Sequence, residues 1–298
     1  MWSGGGELIV WLLVYVVVVG VGLMGVSYVL VWGVLEVSLV LSLTYFVWGN
    51  SRVGGVFYYY VVQALSSLMM IVGALVGEGL MVMVSFLVKM GLFPVFVWMV
   101  GVVWSLEMGG SVMLVLWAQK LVPLLLLFEW GWVIDWGSSL FVGTLCLGIV
   151  VGSLFMATGA TPKWLLTMSS LVHTSWLVII MMGSCGALMF YFMTYGGLLA
   201  VVLGGFEKNW MVVGGLMTLS SVPPLLGFML KFYSLSLVIR GAELLVAVGV
   251  VVVIGTVVGY FVNMNKMALL MSAGNGGGTE VVSGAGLVLL LMMMGSVF

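Results

Sequence analysis

The chain has 298 residues, 64% hydrophobic and only 6% charged, with 8 Lys/Arg against 9 Asp/Glu, one His and two Cys. A soluble domain carries roughly a quarter charged residues, so this composition excludes a globular enzyme with a solvated surface, and a mean hydropathy of +1.37 makes the chain an integral membrane protein. A net charge of -1 excludes a basic nucleic-acid surface, and one His with two Cys cannot build a four-cysteine zinc or iron–sulfur site within the chain.

The start does not read as a cleavable signal: Met1 to Gly6 has no Lys or Arg, Glu7 is acidic, and a Val/Leu run begins at once. A helical span needs about 20 apolar residues. Polar or Gly-rich breaks separate apolar runs at 7–24, 27–48, 55–77, 80–100, 110–129, 138–156, 162–182, 185–205, 210–239, 243–264 and 281–298. These predict about eleven transmembrane helices. A membrane barrel needs short segments alternating apolar and polar residues, whereas Val16 to Val19 and Val248 to Ile254 are apolar on every face. The expected fold class is therefore an all-α membrane protein, a single polytopic domain over 1–298. Its longest connection, about 265–280, is Gly-rich and flexible rather than a domain.

An odd number of spans puts the termini on opposite sides. Arg52, Lys163, Lys208 and Lys266 then share the N-terminal face, and Arg240 alone lies on the other with Glu78, Glu129 and Asp135. The positive-inside rule places the N-terminus in the cytoplasm or matrix. Val, Gly, Trp, Met and Phe are abundant and Thr, Gln, Asn, Lys and Pro scarce, a skew that points to a biased organellar genome.

Four ionisable side chains fall near the middle of spans, Glu36, Lys89, Lys120 and Lys231, and His173 joins them. Each charge costs about 2.5 to 3.5 kcal/mol at mid-bilayer, so the four must face the bundle interior. A structural reading has each one locking helices together; three lysines at mid-depth with a single acid favour an ion or proton path. Prolines sharpen this, because Pro94 follows Lys89, Pro123 follows Lys120, and Pro223 and Pro224 precede Lys231. A helix-interior proline frees a carbonyl, and transporters build midplane sites on such broken helices. Ser169 and Ser170 share a helical face with His173, and Gln63, Ser66 and Ser67 form a similar stripe. Such stripes can hold water and relay protons, or serve only as interhelical hydrogen bonds. Gly20, Gly22 and Gly25 spell a dinucleotide fingerprint, but with 43 glycines and no βαβ unit the pattern reads as helix packing or a turn.

The buried charges occur in a familiar context: WGVLE ending at Glu36, VKMGLFP around Lys89, AQKLVP around Lys120, SSLVHTSW around His173 and PPLLGFMLK ending at Lys231. In this order they resemble the NADH:ubiquinone oxidoreductase chain 2 family of mitochondrial respiratory complex I, over nearly the whole chain. The resemblance implies an antiporter-like membrane-arm subunit with two inverted five-helix repeats, about 7–130 and 138–264, two broken helices, and one C-terminal helix at about 281–298. It implies that Glu36 pairs with Lys89 on the first broken helix, that Lys120 is the central relay, that His173 lies on a hydrated axis, and that Lys231 on the second broken helix leads to the exit. Helix breaks are then expected at Pro94, Pro223 and Pro224. Departures lie after Pro94, where Phe96, Val100 and Gly101 stand in place of the family's common His and Pro–Glu pair, and at Leu226, in place of a common threonine.

The expected function is proton translocation in the inner mitochondrial membrane, coupled to electron transfer from NADH to ubiquinone in partner subunits, with the N-terminus on the matrix side. No cofactor is expected on this chain; NADH, FMN, iron–sulfur clusters and ubiquinone belong to the partners, which are other complex I membrane-arm subunits and lipid, with no nucleic acid. Two alternatives stay open: an Mrp-type cation/proton antiporter subunit, and a structural assembly subunit without its own proton path.

Overall fold

The computed structural model of the chain describes residues 5–23, 27–49, 51–107, 109–130, 139–158, 161–181, 185–204, 215, 218–219, 227 and 229–233. Every element among them is helical, and the chain divides into two compact units, Met1–Phe141 and Val142–Phe298. The first unit holds α1 (Gly5–Leu23), α2 (Tyr28–Trp48), α3 (Val53–Val76), α4 (Gly79–Met90), α5 (Val97–Ser105), α6 (Gly110–Leu116), one 3-10 turn (Ala118–Lys120) and α7 (Leu121–Trp130). Then come α8 (Ser139–Thr158), which starts at the boundary, α9 (Pro162–Met181) and α10 (Cys185–Gly204). Beyond these, residues 215, 218–219, 227 and 229–233 are helical. The expected runs at 243–264 and 281–298, and Pro223, Pro224, Leu226, Lys208, Arg240 and Lys266, lie outside the described residues.

In lipid the backbone must satisfy its own polar groups, which makes each apolar run a helix. Burial then follows the helical period. On α2 the buried side chains are Val31, Val34, Leu35, Ser38, Leu39, Ser42 and Phe46, spaced by three and four, while Val29, Val37, Val40 and Val47 are exposed. Ser27 starts this helix, its hydroxyl accepting from the Leu30 amide at 3.3 Å. On α3 the buried stripe is Val56, Tyr59, Gln63, Ser66, Ser67, Met70 and Gly73.

Aromatic donors tie neighbouring helices through backbone carbonyls. Trp11 Nε1 donates to Leu41 O at 2.9 Å, Tyr28 Oη to Met70 O at 2.8 Å and Trp32 Nε1 to Ser67 O at 3.2 Å. Gly73 lets α3 approach α4 closely: a Cβ there would stand 2.9 Å from Met81 Cβ and 3.1 Å from the Val82 amide nitrogen. Gly22 likewise faces Val34 across the α1–α2 contact, so this glycine of the false dinucleotide motif serves helix packing, as expected.

In the second unit α9 differs from α2, α3 and α10, which all keep exposed apolar faces. Every side chain from Leu165 to Met181 is buried, so this helix has no face left for lipid. Its polar residues Thr167, Ser169, Ser170, His173, Thr174 and Ser175 are thereby removed from hydrocarbon. Gly152 on α8 admits α9, since a Cβ there would lie 2.7 Å from Val172 Cγ2, and Trp164 Nε1 donates to Phe155 O at 2.7 Å.

Candidate functional site

The apolar run 80–100 is two helices with an interruption between them. Gly91, with φ 65°, adopts the left-handed conformation that ends α4. Leu92 N donates to Leu87 O at 2.8 Å and Gly91 N to Val88 O at 3.1 Å, the paired bonds of a Schellman stop. The chain then runs outside a helix to Phe96, and α5 resumes at Val97. Pro94 lies inside this break, but the residue that stops the helix is Gly91, three positions earlier. Lys89 occupies the last turn of α4 with 8% of its surface exposed. A helix C-terminus favours a cation there.

Two side chains bind the carbonyls beside the break. Trp98 Nε1, from α5, reaches back to Val88 O at 2.9 Å, and Gln63 Nε2, from α3, donates to Lys89 O at 3.4 Å. Glu36, half-buried on α2, interacts electrostatically with Lys89. Gln63 thus holds the Lys89 carbonyl, and Glu36 stands within electrostatic reach of the Lys89 side chain.

A second interruption lies at Lys120. α6 ends at Trp117, whose φ of -129° and ψ of -68° leave the helical region, and a 3-10 turn places Lys120 N 3.0 Å from Trp117 O. Lys120, 3% exposed, closes this turn. Pro123 follows in the first turn of α7, where a missing N–H costs little. The break thus precedes the proline. Tyr15 Oη donates to Ala118 O at 2.8 Å, and Tyr59 Oη donates to Gln119 Oε1. Gln119 Nε2 is buried without a hydrogen-bond partner among the described residues.

In the second unit His173 is 4% exposed on α9. Its Nδ1 is 2.8 Å from Tyr191 Oη, and its ring stacks on Tyr195 with centroids 4.5 Å apart and planes 26° from parallel. Tyr195 Oη approaches the Ser170 side chain without reaching hydrogen-bond geometry. Lys231 is 1% exposed in the helical stretch 229–233.

The hydroxyl stripes lie on the faces that the sequence spacing implies, and several of their hydroxyls bond back to the helix backbone. Ser66 donates to Gln63 O at 2.8 Å, Ser67 to Ala64 O at 2.9 Å and Ser169 to Leu166 O at 2.9 Å, each within its own helix. The side chains that join helices include Tyr15, Tyr59, Tyr191 and Tyr195, which the motifs did not single out, as well as Gln63 of the α3 stripe. Tyr59 had a usable signal, since it stands one turn before Gln63 on the same face. Among the described residues no three His, Cys, Asp or Glu gather as a metal site, and Cys146 and Cys185 are free thiols.

The fold is that of the polytopic membrane subunits found in respiratory complex I and in the Mrp complex. The chain superposes on a chain of respiratory complex I from Thermus thermophilus with a TM-score of 0.75 at 17% identity, covering 99% of this chain and 79% of that one. On a chain of the Mrp complex from Dietzia sp. DQ12-45-1b the TM-score is 0.67 at 16% identity, covering 86% and 59%.

In sequence the chain is similar to proteins named NADH-ubiquinone oxidoreductase chain 2. The relative from Locusta migratoria is 26% identical over 206 residues, 58% of this chain and 59% of that protein. The relative from Branchiostoma floridae is 25% identical over 271 residues, covering 78% and 77%, and that from Mytilus edulis is 27% identical over 238 residues, covering 71% of each. The chain thus spans about three fifths of the length of the locust relative. No family model matches it.

Proposed function

We propose that the chain is a core proton-translocating membrane-arm subunit of respiratory complex I. The observation that carries this reading is the placement of two buried lysines, Lys89 and Lys120, each at an interruption of an apolar helix. Charged groups at such depth are costly, and broken helices are where transporters place ion sites. The similarity to chain 2 proteins supports the assembly we propose: partner subunits hold FMN and the iron–sulfur clusters, oxidise NADH and reduce ubiquinone, and this chain carries no redox group.

In this reading protons move by successive changes in the protonation of Lys89, Lys120 and Lys231. The separation between the Glu36 carboxylate and the Lys89 ammonium governs when Lys89 holds its proton and when it yields it. His173, held between Tyr191 and Tyr195, carries the path through the second half, and a second broken helix at Pro223 and Pro224 leads to Lys231. The full chain has eleven spans, with inverted five-helix repeats at about 7–130 and 138–264 and a last helix at about 281–298. The division of the chain between Phe141 and Val142 supports that boundary. The protein lies in the mitochondrial inner membrane among other membrane-arm subunits and lipid, with its N-terminus in the matrix.

Purification of the tagged chain after mild solubilisation tests this. Co-purifying NADH:ubiquinone reductase activity at the mass of a large assembly is the expected result. A chain that purifies alone, or only with cation-antiporter subunits and without that activity, would replace this reading with the Mrp-type one.

A further inference from the structure

Helix α3 touches both interruptions of the first unit. Tyr59 bonds Gln119, the residue next to Lys120, and Gln63 bonds the carbonyl of Lys89. The two are four residues apart, one turn and about 6 Å along the axis, and both are buried. Trp98 completes the group. It straps α5 to α4 across the first break through Val88 O, and its ring lies 6.0 Å from that of Tyr59, tilted by 49°. Tyr59 is also fixed from α2, its ring meeting Phe46 edge-on at 5.4 Å. α4 in turn packs against the 3-10 turn that carries Lys120.

A packed helix moves as a stiff body, and interiors at native density transmit displacement rather than absorb it. We propose that Tyr59, Gln63 and Trp98 are positioning residues that make α3 a mechanical tie between the two lysine-bearing breaks, so that a shift at one break is passed to the other. Independent breaks would each need their own local fastening. Tyr15 also fastens the second break from α1 and Trp98 straps the first from α5, but each break is held as well from one turn of α3, and the ring of Tyr59, which holds the second break, rests near the indole that straps the first. That the tie passes the state of Lys89 to Lys120 during turnover rests on the proton-transfer reading; the tie itself does not.

Hydrogen–deuterium exchange on the intact purified assembly tests the tie. Tyr59→Phe removes one hydroxyl and keeps the ring packed on Phe46 and Trp98, so its direct effect belongs to the turn at Ala118–Lys120. The tie predicts faster exchange there and also at the distant break, Gly91–Phe96, each by about two- to twelvefold, the equivalent of one net hydrogen bond. Gln63→Leu should do the converse, loosening Ala118–Lys120 along with Gly91–Phe96. Effects confined to the directly contacted break in both variants would overturn the proposal. Should Tyr59→Phe fail to accumulate, Gln119→Met removes the same bond from the other side. Exchange at Gly91–Phe96 should then quicken by the same factor, and unchanged exchange there would equally overturn the proposal. Lys120→Met with unchanged pumping would defeat the proton-transfer reading while leaving the exchange result intact, so the two failures are distinguishable.

Discussion

Lys89→Met separates a lysine that carries protons from one that only fastens helices. Methionine keeps the length and apolar body of the side chain in a site where only 8% of the residue is exposed, so packing changes little. Two energetic terms oppose each other. Removing the ammonium relieves about 2.5 to 3.5 kcal/mol of mid-bilayer insertion cost, while the electrostatic interaction with Glu36 is lost, worth about 0.5 to 3 kcal/mol for a coupled neighbouring pair. The relief matches or exceeds the loss, so the assembled complex should reach at least near wild-type abundance. A pair serving only as a fastening would instead cost about 3 to 5 kcal/mol when one partner is removed, and assembly would fall. The assay is abundance on native gels together with NADH-driven quinone reduction and proton movement in sealed vesicles. Full assembly with slowed, poorly coupled turnover is expected, with a similar defect in Glu36→Gln and a double variant less than additive, as for residues acting as one unit. Wild-type coupled turnover in both single variants would refute the reasoning.

Gly73→Ala should lower the amount of assembled protein without changing turnover per complex, because the new Cβ would stand 2.9 Å from Met81 Cβ and overpacking costs about 1 to 3 kcal/mol; thermal inactivation of the purified complex checks this. Cys146 and Cys185 should both be alkylated in the denatured, unreduced protein, since both are free, and an intact mass with neither modified would contradict it. A cysteine introduced beside Lys163, at the start of α9, should be labelled from the matrix side, following the cation bias. Labelling from the intermembrane side alone would invert the topology.

The helix positions were legible where hydropathy has edges. α2 and α10 lie within one residue of the runs 27–48 and 185–205, because Ser27, Gly49 and the small residues around 183–184 interrupt the apolar stretch. The breaks were less legible, since 80–100 and 110–129 each stay apolar on average despite Lys89 and Lys120, and a hydropathy window passes over them. Proline marked the right neighbourhood but not the mechanism. The first helix stops on the left-handed conformation of Gly91, and the second break precedes Pro123, which sits in the first turn of α7. The buried charges could be found because a lysine in lipid is costly wherever it stands. Their neighbours could not: Tyr191 reaches His173 across a helix hairpin, and Tyr59 reaches Gln119 over 60 positions of sequence, and neither pairing follows from local periodicity.

In the proposed function, buried lysines of this chain move protons. The proton-to-electron ratio of the purified complex carrying Lys120→Met, reconstituted in sealed vesicles and normalised to assembled protein, measures it most directly. Lys120 is 3% exposed at its own helix break, and methionine fills its place without a proton to carry. A clear fall in the ratio with assembly preserved is expected if Lys120 carries protons; an unchanged ratio at an unchanged rate would show that it does not.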